Sequence, residues 1–422
     1  MFQLMNKDKL IATFDISVIM HTDFTTCLTV YDKLPIGCTE DSFTDWVSKR
    51  YAAKHRRHLT GYLNSMHAYD MRGFIKLTHS ISINDTYWIK EDCEDLTWSQ
   101  VSPYTNEFDE TVQHLSFDGV GIQGVQLSSI SPEFGTSGAY DKCWVREEDG
   151  IYMYKKGSEC FTNSGFESYS EGLASQVFVK MNAGIPYDIV NYRGKPASKC
   201  KLFTNENIGF ASYHTLRSDD TNAIDMLTFY ESIGCDEEFK RMLVCDAITF
   251  NKDRHKGNFG CLYDTESQKI LGMAPCFDFN LALFPLEPNE AFTHVDNIVW
   301  KCRPKIGNDF VGIARDVLTS SIRSDLINLK GFEYEYDGDD KFSKERVKWL
   351  TKISNEQIDH ILGKHDVYVY TSPEIEPKTN LDKYRAKYDL SLEEFEKDVP
   401  RLMNVLGVKH MSELEVAIAT LL

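Results

Sequence analysis

Two neighbouring stretches of the sequence decide the predicted fold: CDAITFNKDRHKGNFG at residues 245–260 and ILGMAPCFDFNLALFP at residues 270–285. They carry, in chain order, a carboxylate, an imidazole, an amide and a second carboxylate: Asp253, His255, Asn258 and Asp278. Moving a phosphoryl group off a metal-bound nucleotide requires a carboxylate that orients the attacking hydroxyl and oxygen ligands that hold Mg²⁺. Amide and carboxylate oxygens are ligands of that kind. The two stretches therefore predict phosphoryl transfer.

The spacing of the two stretches predicts where the candidate ligands meet. An apolar, helix-like run (Phe239 to Val244) leads into the polar loop DRHKGN. A hairpin is predicted after this loop, with strands at 259–263 and 269–273 and a turn at DTESQ. Because a tight hairpin returns the chain, Asn258 and Asp278 are expected at one point. A single Asp-x-His would be typical of a solvated loop, whereas the complete set is much more specific.

The loop resembles that of the HipA-like serine/threonine kinases, and DRHKGNFG is also similar to the loop of the related phosphoinositide kinases. In these families the loop runs Asp-(Arg)-His-x-x-Asn, and a later Asp lies in a short apolar context. The resemblance implies Asp253 as the catalytic base or hydroxyl-orienting residue and Asn258 and Asp278 as Mg²⁺ ligands. It gives His255 a role in supporting the loop or the transferring phosphate. FDFNLAL departs from the Asp-Phe-Gly of ordinary protein kinases and is similar to the HipA-type Asp-x-x-(Ser/Ala) form.

This resemblance implies an α+β, bilobed protein-kinase-like fold with ATP and Mg²⁺ as cofactors. The expected parts are an N-terminal α+β accessory domain at residues 1–125, a β-rich nucleotide-binding lobe at 126–205, and a helical C-terminal lobe at 206–422. A chain of 422 residues is long enough for two or three such units. The N-terminal part contains strand-like runs at 11–20 and 25–31 and a basic helical stretch at 41–62.

A nucleotide-binding element is predicted upstream, in FGTSGAYDKCWVREEDGIYMYKKGS at residues 134–158. It reads as a loop, a strand at 140–146, a Gly turn and a second strand at 151–155. Short Gly-containing loops let backbone N–H groups approach phosphates. The loop residues proposed for this role are Gly135, Thr136, Ser137 and Gly138. By itself the segment would read as an exposed hairpin with terminal lysines.

A lysine at the end of the second strand would supply a point charge for the α- and β-phosphates. The period of two in a strand places Lys155 on the face of Ile151 and Met153 and places Lys156 on the other face. Lys155 is therefore preferred, and Lys156 remains the alternative.

A helix is predicted over SYSEGLASQVFVKMNAGIP, with Ser168 or Ser170 as its N-cap and Gly184 as its stop. The resemblance implies that Glu171, near its start, pairs with the nucleotide lysine, although a first-turn Glu is also favoured by the helix dipole. Strands are predicted at 188–192 and 199–203. The second is expected to lead into the linker between the lobes, where the backbone of Cys200 and Leu202 would read the adenine edge.

Charge and cysteine usage exclude several classes of protein. The formal net charge is 46 − 64 = −18, which argues against direct nucleic-acid binding. The one compact basic cluster, KHRRH at 54–58, is interpreted as a solvated helix face. Eleven cysteines without a CxxC pair indicate reduced thiols. The sequence shows no signal peptide and no run of membrane-spanning length, so membrane insertion is not expected and the cytoplasm is the predicted location. Delivery by a dedicated bacterial secretion machine stays open.

Two further segments follow the catalytic motif. The acidic stretch GFEYEYDGDDKF at residues 331–342 is predicted to be an exposed loop between helices. Beyond it, helical periodicity predicts the end of the helical lobe.

The favoured function is a HipA-like kinase that transfers the γ-phosphoryl group of Mg-ATP to Ser or Thr hydroxyls of a protein substrate. Three alternatives stay open: a lipid or small-molecule kinase of the same fold, a nucleotidyl transferase that moves AMP, and a non-catalytic pseudokinase module. The resemblance further implies autophosphorylation at Thr136 or Ser137 and a toxin role with an antitoxin or regulatory partner.

Overall fold

The computed structural model describes residues 1–20, 23–51, 56–119, 131–159, 165–363, 370, 380–388, 392–408 and 410–419. These residues form two compact units. The larger comprises residues 1–291 and 295–371, and the smaller comprises 292–294 and 372–422. The predicted boundary between residues 125 and 126 lies outside the described residues.

An N-terminal antiparallel sheet with helices packed against it begins the larger unit. Its sheet has the order β3-β2-β1-β4. The elements are β1 (Phe2–Asn6), β2 (Lys9–Met20), β3 (Asp23–Val30), α1 (Phe43–Arg50), α2 (Arg57–Ser65), α3 (Met71–Thr78), β4 (Tyr87–Glu91), α4 (Trp98–Val101) and α5 (Glu110–Asp118). Both predicted strands are confirmed, while the helical stretch predicted at 41–62 divides into α1 and α2. Alternate apolar residues of β2, such as Phe14 and Ile16, face a core shared with Phe43 and Phe74.

A second antiparallel sheet, of order β5-β6-β8-β7, follows with one long helix beside it. A short 3₁₀ turn (Pro132–Gly135) leads into β5 (Lys142–Glu147), β6 (Gly150–Lys156), α6 (Glu167–Lys180), β7 (Asp188–Tyr192) and β8 (Lys195–Lys201). The strand predicted at 199–203 begins earlier because Arg193 and Gly194 both have positive φ (52° and 74°) and form a two-residue hairpin turn. β8 therefore pairs with β7 from Lys195 onward.

The predicted ends of α6 are wrong. The helix begins at Glu167 with Phe166 at the N-cap, so Ser168 and Ser170 are buried inside it. The hydroxyl of Ser168 donates to the backbone carbonyl of Lys155 instead of capping the helix. At the other end α6 stops at Lys180, before Gly184, because the chain turns through a left-handed residue, Asn182 (φ 52°).

The rest of the larger unit is mainly helical and contains a small three-stranded sheet of order β11-β10-β9. Its elements are β9 (Ile208–Ser212), α7 (Tyr213–Leu216), α8 (Ala223–Ser232), α9 (Asp236–Ile248), β10 (Gly260–Asp264), β11 (Ile270–Met273), α10 (Val295–Lys301), α11 (Phe310–Asp316), α12 (Ser320–Leu329) and α13 (Lys344–Ile361). The predicted hairpin is confirmed as β10 and β11. The structure adds β9, which pairs with β10 from Ile208 to Ser212. The α+β class predicted from the sequence is therefore confirmed.

The acidic loop between α12 and α13 is less exposed than predicted. Phe332, Tyr334 and Phe342 in this segment are buried. The ring of Phe342 stacks on that of Tyr169 at 4.8 Å, and the Tyr169 hydroxyl donates to Asp339 at 2.7 Å. The aromatic residues thus anchor the acidic segment to α6.

The smaller unit contains α14 (Asn380–Lys387), α15 (Leu392–Leu406) and α16 (Met411–Ile418). Its core includes Phe395, Leu402, Leu414 and Ile418. Across the described ranges of both units, no helix combines the length and the apolar character needed to span a membrane.

Candidate active site

A buried lysine and two carboxylates from three separate elements meet beside the second sheet. Lys155 Nζ, near the end of β6, lies 3.1 Å from Glu171 Oε1 in α6 and 2.5 Å from Asp278 Oδ1 in the segment after β11. Glu171 is fully buried, and 32% of the Asp278 side chain is exposed. Both carboxylates thus pair with the same buried ammonium. Of the three side chains, only that of Asp278 is substantially exposed to solvent.

The pKa values of this group show how strongly its charges depend on one another. Burial would lower the pKa of Lys155, but the charges of Asp278 and Glu171 outweigh burial and raise it. Burial also opposes ionisation of Asp278, yet Lys155 and then Lys142 lower the pKa of Asp278 well below its usual range. Burial raises the pKa of Glu171. At neutral pH, Lys155 and Asp278 are therefore both charged.

Glu171 also fixes the segment that carries Asp278. Besides Lys155, its carboxylate accepts hydrogen bonds from the Ser198 hydroxyl at 2.5 Å and from the Phe279 backbone N–H at 3.2 Å. The ring of Phe279 packs on that of Phe178 of α6, with centroids 4.3 Å apart. The residue after Asp278 is thus attached to α6 by both its backbone and its side chain.

Asp278 itself has left-handed backbone geometry, with φ 61°. Phe250, just before the catalytic loop, shares this conformation with φ 51°. Such values are uncommon for residues other than Gly and are unfavourable for a bulky aromatic. Strained backbone of this kind concentrates at functional sites, where the surrounding packing holds it.

The loop at residues 253–258 is held in place by Arg254, which lies between Asp253 and His255. Its side chain is 2% exposed and pairs with Asp246 of α9, with Nε 2.9 Å from Oδ2. The Arg254 Nη1 group donates to the backbone carbonyls of Asn258 at 2.9 Å and Phe277 at 2.7 Å. One guanidinium therefore joins the two candidate metal ligands, because Phe277 directly precedes Asp278.

Asn258 and His255 both serve the shape of this loop. Asn258 Oδ1 accepts from the His255 backbone N–H at 3.0 Å, and its Nδ2 donates to the Asp253 carbonyl at 2.9 Å. The His255 Nδ1 accepts from the Gly257 backbone N–H at 3.0 Å. Burial lowers the pKa of His255, so its ring is neutral at pH 7. The Asp253 carboxylate takes no part in these hydrogen bonds and forms an ion pair with the ammonium of Lys305.

The donor set fits a magnesium ion that arrives with a nucleotide. Lys155 uses only Oδ1 of Asp278, and the Asn258 carbonyl oxygen retains a second lone pair. In the described part of the chain, no group of three or more His, Cys, Asp or Glu side chains is placed to hold a metal. Mg²⁺ commonly binds through one or two protein oxygens together with substrate phosphates and water. Asp278 and Asn258 would be those two oxygens.

A second buried lysine, Lys142, contacts the Gly/Ser loop at residues 135–138. This residue lies directly opposite Lys155 in the pairing of β5 with β6. Its Nζ donates to the Ser137 carbonyl at 2.6 Å. Burial, followed by the charge of Lys155, lowers the pKa of Lys142 to about 7. Because this buried lysine lies beside the loop assigned to phosphate, it is a candidate site residue that was not predicted from the sequence.

Two of the loop glycines are required by close approaches. A Cβ on Gly138, whose φ is +95°, would lie 2.5 Å from Lys142 Nζ. A Cβ on Gly135 would lie 2.3 Å from the Ile81 carbonyl. Glycine at position 135 thus permits the close approach to the segment between α3 and β4.

Arg56 connects the N-terminal helices to the same loop. It is 3% exposed, so the solvated helix face predicted for KHRRH is wrong at this residue. Its guanidinium donates to the carbonyls of Glu133 and Thr136, the latter at 3.0 Å, and to the Ser116 hydroxyl at 2.8 Å. This position therefore braces the loop from the N-terminal side. Lys54 and His55 of the cluster lie outside the described residues.

Three other predicted positions lie away from this group or are otherwise engaged. Lys156 pairs with Asp141 and Glu159 on the opposite face of β6 from Lys155. Cys200 is buried in β8, opposite Met153. The Leu202 backbone N–H donates to the Ile151 carbonyl at 2.8 Å, so this N–H is not open to an adenine edge.

The sequence contains only weak indications of the site residues that were not predicted from it. Arg254 stands inside the DRH motif, and Asp246 is a lone acid in the apolar run LVCDAITF. Lys142 follows the Gly/Ser loop by four residues. Arg56 offered no signal beyond the basic cluster.

Solved structures that are similar to this chain include the following two. The first, the proinflammatory kinase CtkA of Helicobacter pylori, is 20% identical with a TM-score of 0.43, and the match covers 56% of this chain and 94% of that one. The second is HipA of Shewanella oneidensis MR-1 in its toxin–antitoxin complex with HipB and operator DNA. It is 10% identical with a TM-score of 0.48, and the match covers 87% of this chain and 100% of that one. No family model and no curated protein matches.

Proposed function

We propose that this chain is a HipA-like kinase that transfers the γ-phosphoryl group of Mg-ATP to Ser or Thr hydroxyls of a protein. The observation that carries the proposal is the meeting of Lys155, Glu171 and Asp278, because a buried lysine shared by a helix glutamate and a metal-binding aspartate is the arrangement that phosphoryl transfer requires in kinases. The loop that supplies Asp253 and Asn258 is joined to Asp278 through Arg254.

Each residue has a distinct task in this proposal. Lys155, held in place by Glu171, neutralises the α- and β-phosphates. Asp278 and Asn258 would hold Mg²⁺, which would neutralise the negative charge of the phosphates. Asp253 orients the acceptor hydroxyl and accepts its proton. The bond from the acceptor oxygen to the γ-phosphorus forms as the bond to the bridging oxygen of ADP breaks, and ADP leaves.

ATP labelled separately at the γ- and α-phosphates tests this function on the full chain. Label transferred from the γ-position, and lost in Asp253→Asn, is the expected result. Label transferred from the α-position would establish nucleotidyl transfer instead. Binding of ATP with no transfer to the chain or to added protein substrates would favour the pseudokinase alternative.

Binding of ATP is expected to depend on pH through Lys142. The pKa of this residue is about 7 in the free protein because of burial, and phosphate nearby favours the charged form and raises that pKa. At a pH between the pKa of Lys142 in the free protein and its higher pKa in the complex, ATP binding takes up a proton. The affinity for ATP therefore falls as the pH rises above about 7. We expect the loss between about pH 6.5 and pH 8.5 to be roughly tenfold greater in the wild type than in Lys142→Arg, whose charge is permanent.

Calorimetric titration with Mg-ATP at both pH values measures this difference. The ionisation of ATP itself is common to both proteins and cancels in the comparison. An identical pH dependence in the wild type and in Lys142→Arg would show that Lys142 does not meet the phosphates.

Autophosphorylation in the loop is expected at Ser137 and not at Thr136. The Thr136 hydroxyl donates to the Pro132 carbonyl and accepts from Trp144 Nε1, each at 2.8 Å, whereas Ser137 is exposed. A phosphate at Ser137 would add negative charge beside the nucleotide site and weaken ATP binding. Phosphopeptide mapping after incubation with Mg-ATP should find Ser137 modified in the wild type and in Thr136→Val, but not in Ser137→Ala. Modification confined to other sites would contradict the expectation.

A regulatory partner of the antitoxin type also belongs to the proposal. The solved HipA structure contains HipB and operator DNA. For this chain the formal charge of −18 favours contact with DNA only through such a partner.

A further inference from the structure

The acceptor side of the catalytic loop carries cations although the chain as a whole has a formal net charge of −18. Lys305 contacts the Asp253 carboxylate, and 49% of its side chain remains exposed. Lys301 and Arg303 precede it and are also exposed. Three cations thus lie within five residues, next to the carboxylate assigned to the acceptor.

Two other carboxylates close in sequence to this segment accept hydrogen bonds from backbone N–H groups. Asp296 accepts from the Tyr370 N–H at 3.1 Å. Asp309 caps α11 and accepts from the Gly312 N–H at 2.6 Å. In the described part of the chain, no carboxylate lies within ion-pair distance of Lys301 or Arg303. Lys301 and Arg303 are thus exposed without an ion pair to a described carboxylate, which leaves them open to a ligand.

A cavity of about 540 Å³ is lined in part by this segment, through Trp300, Cys302 and Arg303. Its apolar wall includes Phe250, Val299, Trp300 and Phe310, and Arg303 stands beside them. The guanidinium of Arg303 lies 5.6 Å from the Trp300 ring, which is 72% exposed. Because Phe250 precedes Asp253 by three residues and its carbonyl accepts from the Cys302 thiol, the cavity borders the segment that leads into the loop of Asp253.

We propose that residues 300–305 and this cavity form the docking surface for the acceptor, and that the ligand is an acidic peptide segment of the protein substrate. Such a segment would carry Asp or Glu beside the acceptor Ser or Thr and an apolar side chain that enters the cavity. The proposal rests on the proposed kinase function.

The pairing of Lys305 with Asp253 gives the acidic preference a mechanism. While Lys305 holds Asp253, that carboxylate is not free to accept the hydroxyl proton. A carboxylate of the substrate offers Lys305 another partner and releases Asp253. A basic substrate would instead be repelled by Lys301, Arg303 and Lys305, so charge selects the substrate and prepares the site in one step.

Three fluorescein-labelled peptides test the docking surface by fluorescence anisotropy on the full chain. Two contain the same Ser and Leu but carry either Glu or Lys around the Ser, and the third replaces Leu by Ser in the acidic version. We expect the acidic peptide to bind roughly tenfold more tightly than the basic one, and several-fold more tightly than the version without Leu.

Charge-reversal variants localise the effect. Arg303→Glu and Lys305→Glu should each abolish or reverse the preference, whereas Lys269→Glu, which changes the same charge at an exposed residue before β11, should preserve it. The milder Lys305→Gln should reduce the preference even if Lys305→Glu folds poorly. Equal binding of the acidic and basic peptides, or an unchanged preference in Arg303→Glu and Lys305→Gln, would overturn the proposal.

Transfer from γ-labelled ATP is measured on the same samples to separate the two proposals. Transfer with no preference for the acidic peptide would overturn the docking surface and leave the kinase function standing. Acid-selective binding without transfer to any acceptor would support the surface and count against the kinase function.

Discussion

Replacing Asp278 by Asn is expected to slow γ-phosphoryl transfer on the order of 10³-fold. The change removes the charge of the proposed metal ligand and also the carboxylate that lies 2.5 Å from Lys155. Lys155 would then retain only Glu171 as its charged partner. Single-turnover measurements with labelled ATP over a series of Mg²⁺ concentrations give both the rate and the metal requirement, and we expect the variant to need far more Mg²⁺.

Two controls separate this effect from a general loss of structure. Asp340→Asn removes the same charge at an exposed position of the acidic loop and should leave the rate unchanged. Asp253→Asn should reduce transfer about 10²- to 10⁴-fold while nucleotide affinity stays near the wild-type value, because this residue is proposed to act on the acceptor. A rate and a Mg²⁺ dependence unaltered in Asp278→Asn would contradict its assignment as a ligand.

Replacing Arg254 by Met is expected to lower the free energy of unfolding of the larger unit by about 3–5 kcal/mol, the usual cost of leaving one partner of a buried ion pair uncompensated. The partner is Asp246, which is 4% exposed. All six tryptophans belong to the larger unit. Urea unfolding followed by tryptophan fluorescence therefore reports on this unit.

A double variant distinguishes the structural task of Arg254 from its task at the site. Arg254→Met combined with Asp246→Leu removes both buried charges, so it should recover much of the lost stability. It should not recover activity, since the bonds from Arg254 to the carbonyls of Asn258 and Phe277 stay absent. Destabilisation of less than about 1 kcal/mol in Arg254→Met, or recovery of activity in the double variant, would refute this account.

The parts of the fold that could be predicted from the sequence are those determined by residues close together along the chain. The hairpin of β10 and β11 follows from two apolar runs around a polar turn, and β7 was predicted at its observed bounds. The alternation in β6 separates Lys155 from Lys156, as the structure also shows. These are local patterns, in which neighbours in sequence determine which side chains share a face.

The remaining features of the site depend on contacts that no local pattern encodes. Arg56 reaches the Thr136 carbonyl across 80 residues, and Lys142 acquires its perturbed pKa from burial and from its register with Lys155. The start of α6 was misplaced because Ser168, a good N-cap by type, bonds the Lys155 carbonyl instead. In each case tertiary packing overrode the preference of the residue.

A crystal structure of the full chain with Mn²⁺ and a non-hydrolysable ATP analogue tests the central claim most directly, because anomalous scattering locates the metal. We expect one Mn²⁺ within about 2.0–2.3 Å of a carboxylate oxygen of Asp278 and of Asn258 Oδ1, with phosphate oxygens completing its shell and Lys155 on the α- and β-phosphates. Nucleotide bound elsewhere, or a metal that touches neither Asp278 nor Asn258, would contradict the proposed active site.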